Sequence, residues 1–232
     1  MMKKAAVLQS NYIPWKGYFD MINSVDVFVL YDIVQYSKNA WINRNQVIIG
    51  GQPQWLTIPV RKISLKQPIN QTRVSDSRWA SKHWKTISQN YLNCDAFEQY
   101  ADIIGDLYQE AGRLELISEI NYLFITTICR LLGVDTQILM AESFTLPEDR
   151  QERLIEICRQ TDCDIYVSGP AAKCYIEPEL FVRNNTGLEW FAYDGYPDYK
   201  QKSKVFMPNV SIVDLLLNMG NESSKYIVKN KA

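Results

Sequence analysis

Two short apolar runs, Ala5–Leu8 and Val25–Tyr31, set the terms for the fold. Each is strand-sized. Between them lies Trp15–Ile22, a helix-compatible stretch with Tyr18, Phe19 and Ile22 on one face. A strand, a helix and a second strand in that order cannot close as a hairpin. They predict parallel neighbours joined by a right-handed crossover. Both runs end in polar, aromatic sequence: Gln9–Trp15 after the first, Asp32–Arg44 after the second. In open α/β sheets, ligands bind outside the carboxyl ends of the strands. Gln9, Asn11, Tyr12 and Trp15 therefore form one candidate binding stretch, and Gln35, Tyr36, Lys38, Trp41, Asn43 and Arg44 a second.

The remaining chain extends the pattern. Val47–Ile49 and Gln54–Ile58 flank Gly50-Gly51-Gln52-Pro53, a hairpin signal, and Arg61–Pro68 reads as a basic loop. Three helices follow at Asp76–Tyr91, Asp95–Glu110 and Leu114–Leu132; in the last, Leu116, Ile120, Leu123, Phe124, Thr127 and Leu131 recur near helical spacing. Strand and helix then alternate again: Gln137–Met140, Glu148–Gln160, Asp164–Val167, Tyr175–Asn184 and Leu188–Phe191. Ser211 caps a short helix to Leu217, and the polar tail from Asn221 is expected to fray. The fold class is α/β: an open, mainly parallel sheet in one domain over residues 1–232, with a helical insertion or subdomain at 76–132.

Composition excludes several classes. With 25 Lys and Arg against 26 Asp and Glu, the chain has no global field for nucleic acid or an anionic membrane. No apolar run approaches the ~20 residues of a membrane span, and Ala5–Leu8 is too short for a signal-peptide core. The expected compartment is the cytoplasm. The five cysteines form no C-x-x-C pair, and there is one histidine, so no metal site and no disulfide framework is expected.

Three blocks carry a resemblance: QSNYIPWKGYFDMI from Gln9, DVFVLYDIVQYSKNAWINRNQV from Asp26, and WLTIPV at Trp55–Val60. They resemble the WbqC-like protein family, and the likeness continues through Val167–Ile176 and Ser211–Gly220. It implies a bacterial protein of surface-polysaccharide (O-antigen) biosynthesis, working on a nucleotide-linked amino-sugar. The element order is also similar to the nucleotidylyltransferase and pantothenate-synthetase type of Rossmann-like fold. There an HxGH-like turn follows the first strand; here Trp15 and Tyr18 replace both histidines of that turn.

Each candidate has a plainer reading beside the functional one. Lys38 and Arg44, among aromatics, suit a diphosphate and a base, or they decorate a solvated loop. Asp32 ends a buried strand as a catalytic base or as a turn cap. His83 titrates unperturbed near neutral pH, which suits a base, yet a lone helical histidine is commonly a satisfied core or surface group. Asp102 and Asp106 have helical spacing and fit a solvated face. Ser168, Gly169, Lys173 and Tyr175 belong to a small-residue turn that can offer backbone N–H groups to an anion, or merely connect two elements. Pro197–Gln201 is a surface turn or a loop closing over a sugar.

Two functions are consistent with this set. One is a transferase forming an amide on the sugar amine by acyl or aminoacyl transfer, with His83 or Asp32 as base. The other is a non-catalytic nucleotide-sugar or glycan binder within a biosynthetic complex. No cofactor is expected. The partner is a small-molecule substrate, with nucleic acid entering only if an aminoacyl-tRNA is the donor.

Overall fold

The computed structural model describes residues 2–61 and 64–229. Met1, Lys62 and Ile63 of the expected basic loop, and the last three residues of the tail lie outside that set. The first run is β1 (Lys4–Leu8), followed by α1 (Lys16–Asn23) and β2 (Val27–Leu30). β1 and β2 pair in parallel, Ala5 opposite Val27 through Leu8 opposite Leu30. A two-stranded hairpin, β3 (Arg44–Ile49) and β4 (Gln52–Thr57), comes next. Its turn is Gly50-Gly51, at φ +58° and +78°. Two consecutive positive φ values define the turn whose twist suits a two-residue hairpin, which is why glycines stand there.

A short antiparallel pair, β5 (Val60–Arg61) and β6 (Arg73–Val74), leads to three helices: α2 (Trp79–Tyr91), α3 (Phe97–Ala111) and α4 (Ile117–Leu132). Then come β7 (Gln137–Met140), α5 (Arg150–Gln160), β8 (Ile165–Ser168), α6 (Pro178–Arg183), β9 (Gly187–Trp190) and α7 (Ile212–Met219). The main sheet has five parallel strands in the order β7-β2-β1-β8-β9. Strand order reverses direction between β1 and β8, so the carboxyl ends there mark the topological switch point.

Side chains alternate across the sheet with a period of two. Ala6, Phe28 and Leu30 face a core shared with Phe19, Ile22, Ile120 and Phe124. Ala5, Val7, Val27 and Val29 face a second core with Ile157, Cys158 and Phe181. Both faces are thus covered, as a parallel sheet requires, and α2–α4 share a continuous apolar cluster with the first face.

Three local expectations are corrected. α2 begins at Trp79, because Asp76 instead accepts from the Arg78 amide at 3.0 Å and ties down the turn before the helix. The helix expected from Tyr175 starts later, as α6 from Pro178, and a 3₁₀ turn at Pro170–Cys174 precedes it. Proline suits a first helical position and forces extended backbone on Glu177 before it. The tail packs rather than frays through Ile227. Tyr100 donates to Asn221 Oδ1 at 3.0 Å, Tyr226 meets the Tyr199 ring, and Ile227 is buried.

Candidate functional site

Beyond Leu8 the chain turns through the stretch Gln9–Trp15. The Ser10 amide donates to Asp32 Oδ1 at 2.8 Å, and the Tyr12 amide to the Trp41 carbonyl at 3.0 Å. Ile13 then takes φ +37°, a left-handed conformation that a β-branched residue resists. Asn45 holds it there. Its Nδ2 donates to the Tyr12 and Ile13 carbonyls at 3.0 and 2.8 Å, while its Oδ1 accepts from the Gln46 amide. The far side is fixed by Ile212, whose amide donates to Pro14 O, and by Ser211, whose amide donates to Gln46 O.

The result is a cleft of about 390 Å³ lined by Asn11, Pro14, Trp15, Trp41, Asn45 and Asn209. Its wall is neutral. Asn45 is spent on the backbone, but the side chains of Asn11 and Asn209 make no hydrogen bond among the described residues, so each amide has donor and acceptor to offer. Trp15 and Trp41 supply ring faces and edges. Trp41 is 43% exposed and stands 5.1 Å from Trp55, equally exposed. Behind Trp15 lie Tyr193 and Tyr196 at 5.5 and 5.7 Å. The next residue, Lys16, is buried: its Nζ donates to Pro197 O at 2.8 Å and sits 5.3–5.9 Å from the rings of Tyr196, Tyr199, Phe206 and Tyr226. Burial lowers its pKa, with Asp198 opposing.

Asp32 lies just past the end of β2 and is fully buried. Burial raises its pKa to about 6, the Glu142 carboxylate adds to the rise, and hydrogen bonds from the Ser10 hydroxyl and amide oppose it. His83 lies on α2, not in the cleft. Its Nδ1 is 2.9 Å from Tyr12 Oη, which is 2.7 Å from Tyr108 Oη, with Trp79 edge-on to the ring. Burial pushes the imidazole down to about 4, against a hydrogen bond to the Thr57 backbone. It is a neutral ring in an aromatic cluster.

The other predicted residues divide. Asn11, Trp15 and Trp41 are in the cleft. Tyr12 is buried beside His83, and Gln9 is exposed, its carbonyl accepting from Tyr18 Oη at 3.0 Å. Tyr36 donates to Asn43 Oδ1 and Asn43 to Ile58 O, so this pair braces the loop; Gln35 bridges to Pro68. Lys38 is exposed. Arg44 gives its fork to Asn39, at 2.5 Å to the carbonyl and 3.4 Å to Oδ1, and lays its guanidinium 4.2 Å over Trp55. Ser168 is buried at the end of β8; Gly169 follows, then Lys173, 5.6 Å over Trp190, and Tyr175, exposed. This group lies across the switch point from the cleft wall and contributes nothing to it.

Pro14, Asn45 and Asn209 were not anticipated. Asn45 sits one residue past the polar run, and a buried polar residue in a strand is its only signal. Asn209 comes from a segment with no local signal at all. Within Pro197–Gln201, Tyr199 and Gln201 turn inward to a buried carboxylate, Asp214, at 2.8 Å each. Asp102 and Asp106 line a larger groove of about 530 Å³ with Trp84, Gly105 and Arg113, whose walls come from α2, α3 and their flanks with no strand end. No helix among the described residues is long and apolar enough to cross a membrane.

A profile of the WbqC-like protein family matches residues 9–226, which includes every residue of the cleft. The chain is also 40% identical over 227 residues to a Mycobacterium tuberculosis protein named "Uncharacterized protein Rv1507c", covering 97% of this chain and 98% of the relative. No solved structure matches it. Across nearly its whole length, then, the chain belongs to the WbqC-like protein family.

Proposed function

We propose that this protein binds the sugar of a nucleotide-linked amino-sugar in the Asn11–Trp41–Asn209 cleft, as part of bacterial surface-polysaccharide assembly. The observation that supports this is the pairing, beyond the end of β1, of two uncommitted amides with two indoles. A sugar ring presents hydroxyls that both donate and accept, and a C–H face that packs on an aromatic ring. A neutral, amide-and-indole wall matches both and offers no positive charge to a bare anion. On this reading the diphosphate points outward, toward Lys38. Arg44 works through Trp55 and Asn39 rather than as a phosphate fork.

The chemistry we favour is acyl or aminoacyl transfer to the sugar amine. Asp32 is its base in preference to His83, because a carboxyl near pKa 6 matches the operating pH better than a ring near 4. A second reading has its own support. Both groups are sealed, Asp32 completely and His83 to 8% exposure, as expected of a binder without turnover.

Thermal-shift and calorimetric titration against nucleotide-linked amino-sugars, their parent nucleotides and free sugars tests binding. Saturable binding of the amino-sugar conjugate, weakened by Asn209→Ala and Trp41→Ala, is expected; indifference to all three classes rejects the cleft assignment. Amide product from the bound sugar with an acyl or aminoacyl donor then selects the transferase, and binding without product selects the binder.

A further inference from the structure

Among the described residues, the buried side-chain atoms without a hydrogen-bond partner are Asp32 Oδ2, Asn70 Oδ1, Asn121 Oδ1, Arg44 Nε and Trp79 Nε1. The three acceptors belong to residues linked by one chain of hydrogen bonds. Asn121 Nδ2 donates to Ser10 Oγ at 2.9 Å and to Ile42 O at 2.9 Å, which fixes its Oδ1 as the free end. The Ser10 amide donates to Asp32 Oδ1, and the Asn70 amide to the Asp32 carbonyl at 2.9 Å. The end of β1, the end of β2 and the 69–71 turn therefore meet at Asp32, and α4 joins them through Ser10. α4 packs directly on that turn. Asp32 and Asn121 are both fully buried.

Unpaired acceptors without a donor describe a place for something positive. A water donates two hydrogens but leaves the carboxylate charge uncompensated, and the charge that acts on Asp32 is the like charge of Glu142. A buried carboxylate without a counter-charge is costly. Oxygen donors alone, one carboxylate and neutral amides, suit a hard cation, and a single carboxylate favours low ionic charge. No group of three or more His, Cys, Asp or Glu among the described residues is arranged for a metal. Transition metals are therefore not the class indicated, and amide oxygens carry no spacing signature that sequence could show.

We propose that the junction of β1, β2, the 69–71 turn and α4 binds one alkali cation, Na⁺ or K⁺, through Asp32 Oδ2, Asn121 Oδ1 and Asn70 Oδ1. The ion braces Ser10, the residue before Asn11, and so sets the inner wall of the cleft. The assignment is independent of sugar binding in the cleft, takes Asp32 as a cation ligand in place of the base, and its readouts use no sugar.

The test is thermal unfolding at pH 8 in choline chloride, NaCl, KCl and MgCl₂ at equal ionic strength, for the parent and for Asp32→Asn. A ligand bound to the native state raises stability with concentration. Na⁺ or K⁺ is expected to raise the parent's Tm by several degrees over choline, saturably, and to leave Asp32→Asn unmoved. Equal Tm in choline, Na⁺ and K⁺ overturns the proposal, as does an equal rise in Asp32→Asn, or a rise with Mg²⁺ alone. If Asp32→Asn does not fold, crystals of the parent soaked in rubidium decide it. An anomalous peak in contact with Asp32 Oδ2 supports the site, and none there rejects it.

Discussion

Two buried carboxylates show how differently one chemical group is used in this fold. Asp214, on α7, fills both oxygens: Oδ1 accepts from Tyr91 Oη at 2.7 Å, and Oδ2 from Tyr199 Oη and Gln201 Nε2 at 2.8 Å each. Asp32 fills one, with Ser10 on Oδ1 and nothing on Oδ2. Burial raises both pKa values. Asp214 ties α2, the 199–201 segment and α7 into one knot, and its neighbours exist to satisfy it. Asp32 sits at the sheet's carboxyl edge with acceptors around it. The first is a fastener, while the second is left with capacity.

The comparison breaks most readily at Asp214. Asp214→Ala strands the hydroxyls of Tyr91 and Tyr199, while Gln201 Nε2 keeps Met207 O. At about 1–3 kcal/mol for each buried group left without a partner, the loss should reach several kcal/mol. Urea unfolding followed by circular dichroism measures this. A loss near 1 kcal/mol would show that Asp214 is no more committed than Asp32.

The next effect is in pH. Asp32 sits at about 6 in the folded chain against an ordinary 3.8, so between those values the native state holds a proton that the unfolded chain has lost. Its contribution is intact below about pH 4 and lost as pH rises through about 6. The difference of two units amounts to roughly 3 kcal/mol. In an alkali-free buffer the parent's stability, relative to Asp32→Asn, should fall by that order between pH 4 and 7. A flat difference would mean that Asp32 is already compensated by a partner.

Smaller effects sharpen the contrast between cleft and knot. Trp41→Ala should lower sugar-conjugate affinity about tenfold, roughly 1.4 kcal/mol, without moving Tm by more than a degree or two, as calorimetry and a melting curve together would show. Smallest of all is Lys38→Ala. An exposed cation should contribute under about 1 kcal/mol to diphosphate binding, vanishing in high salt. A loss that persists in high salt would place the diphosphate in a drier site than the exposed loop.

The strands and helices were legible because burial imposes period: β1 and β2 are apolar runs, and α4 repeats at helical spacing. Asn11, Trp15 and Trp41 were legible as lining of the candidate cleft because strand ends in such sheets face ligands, whereas Asp32 lies sealed behind it. Asn209 was not, because it reaches the cleft on the long connection between β9 and α7, and no local pattern encodes that return. Lys16 was not, because a lysine in a first helical turn reads as solvated until the rings of Tyr196, Tyr199, Phe206 and Tyr226 arrive from the far end of the chain. His83 looked attractive for its titration alone; burial holds it neutral, and the Tyr12 hydroxyl it meets lies far away in sequence.

Ile13 is buried at φ +37° and clamped by Asn45. A backbone held where its own side chain disfavours it has its cost met once, at folding, so little rearrangement remains when a ligand arrives. Relaxing it should separate rigidity from stability. Ile13→Gly would accept the same turn without strain, yet would free the Tyr12–Trp15 arch to sample others. Free and bound conformations would then diverge, and the penalty would appear as slower association rather than as a lost contact.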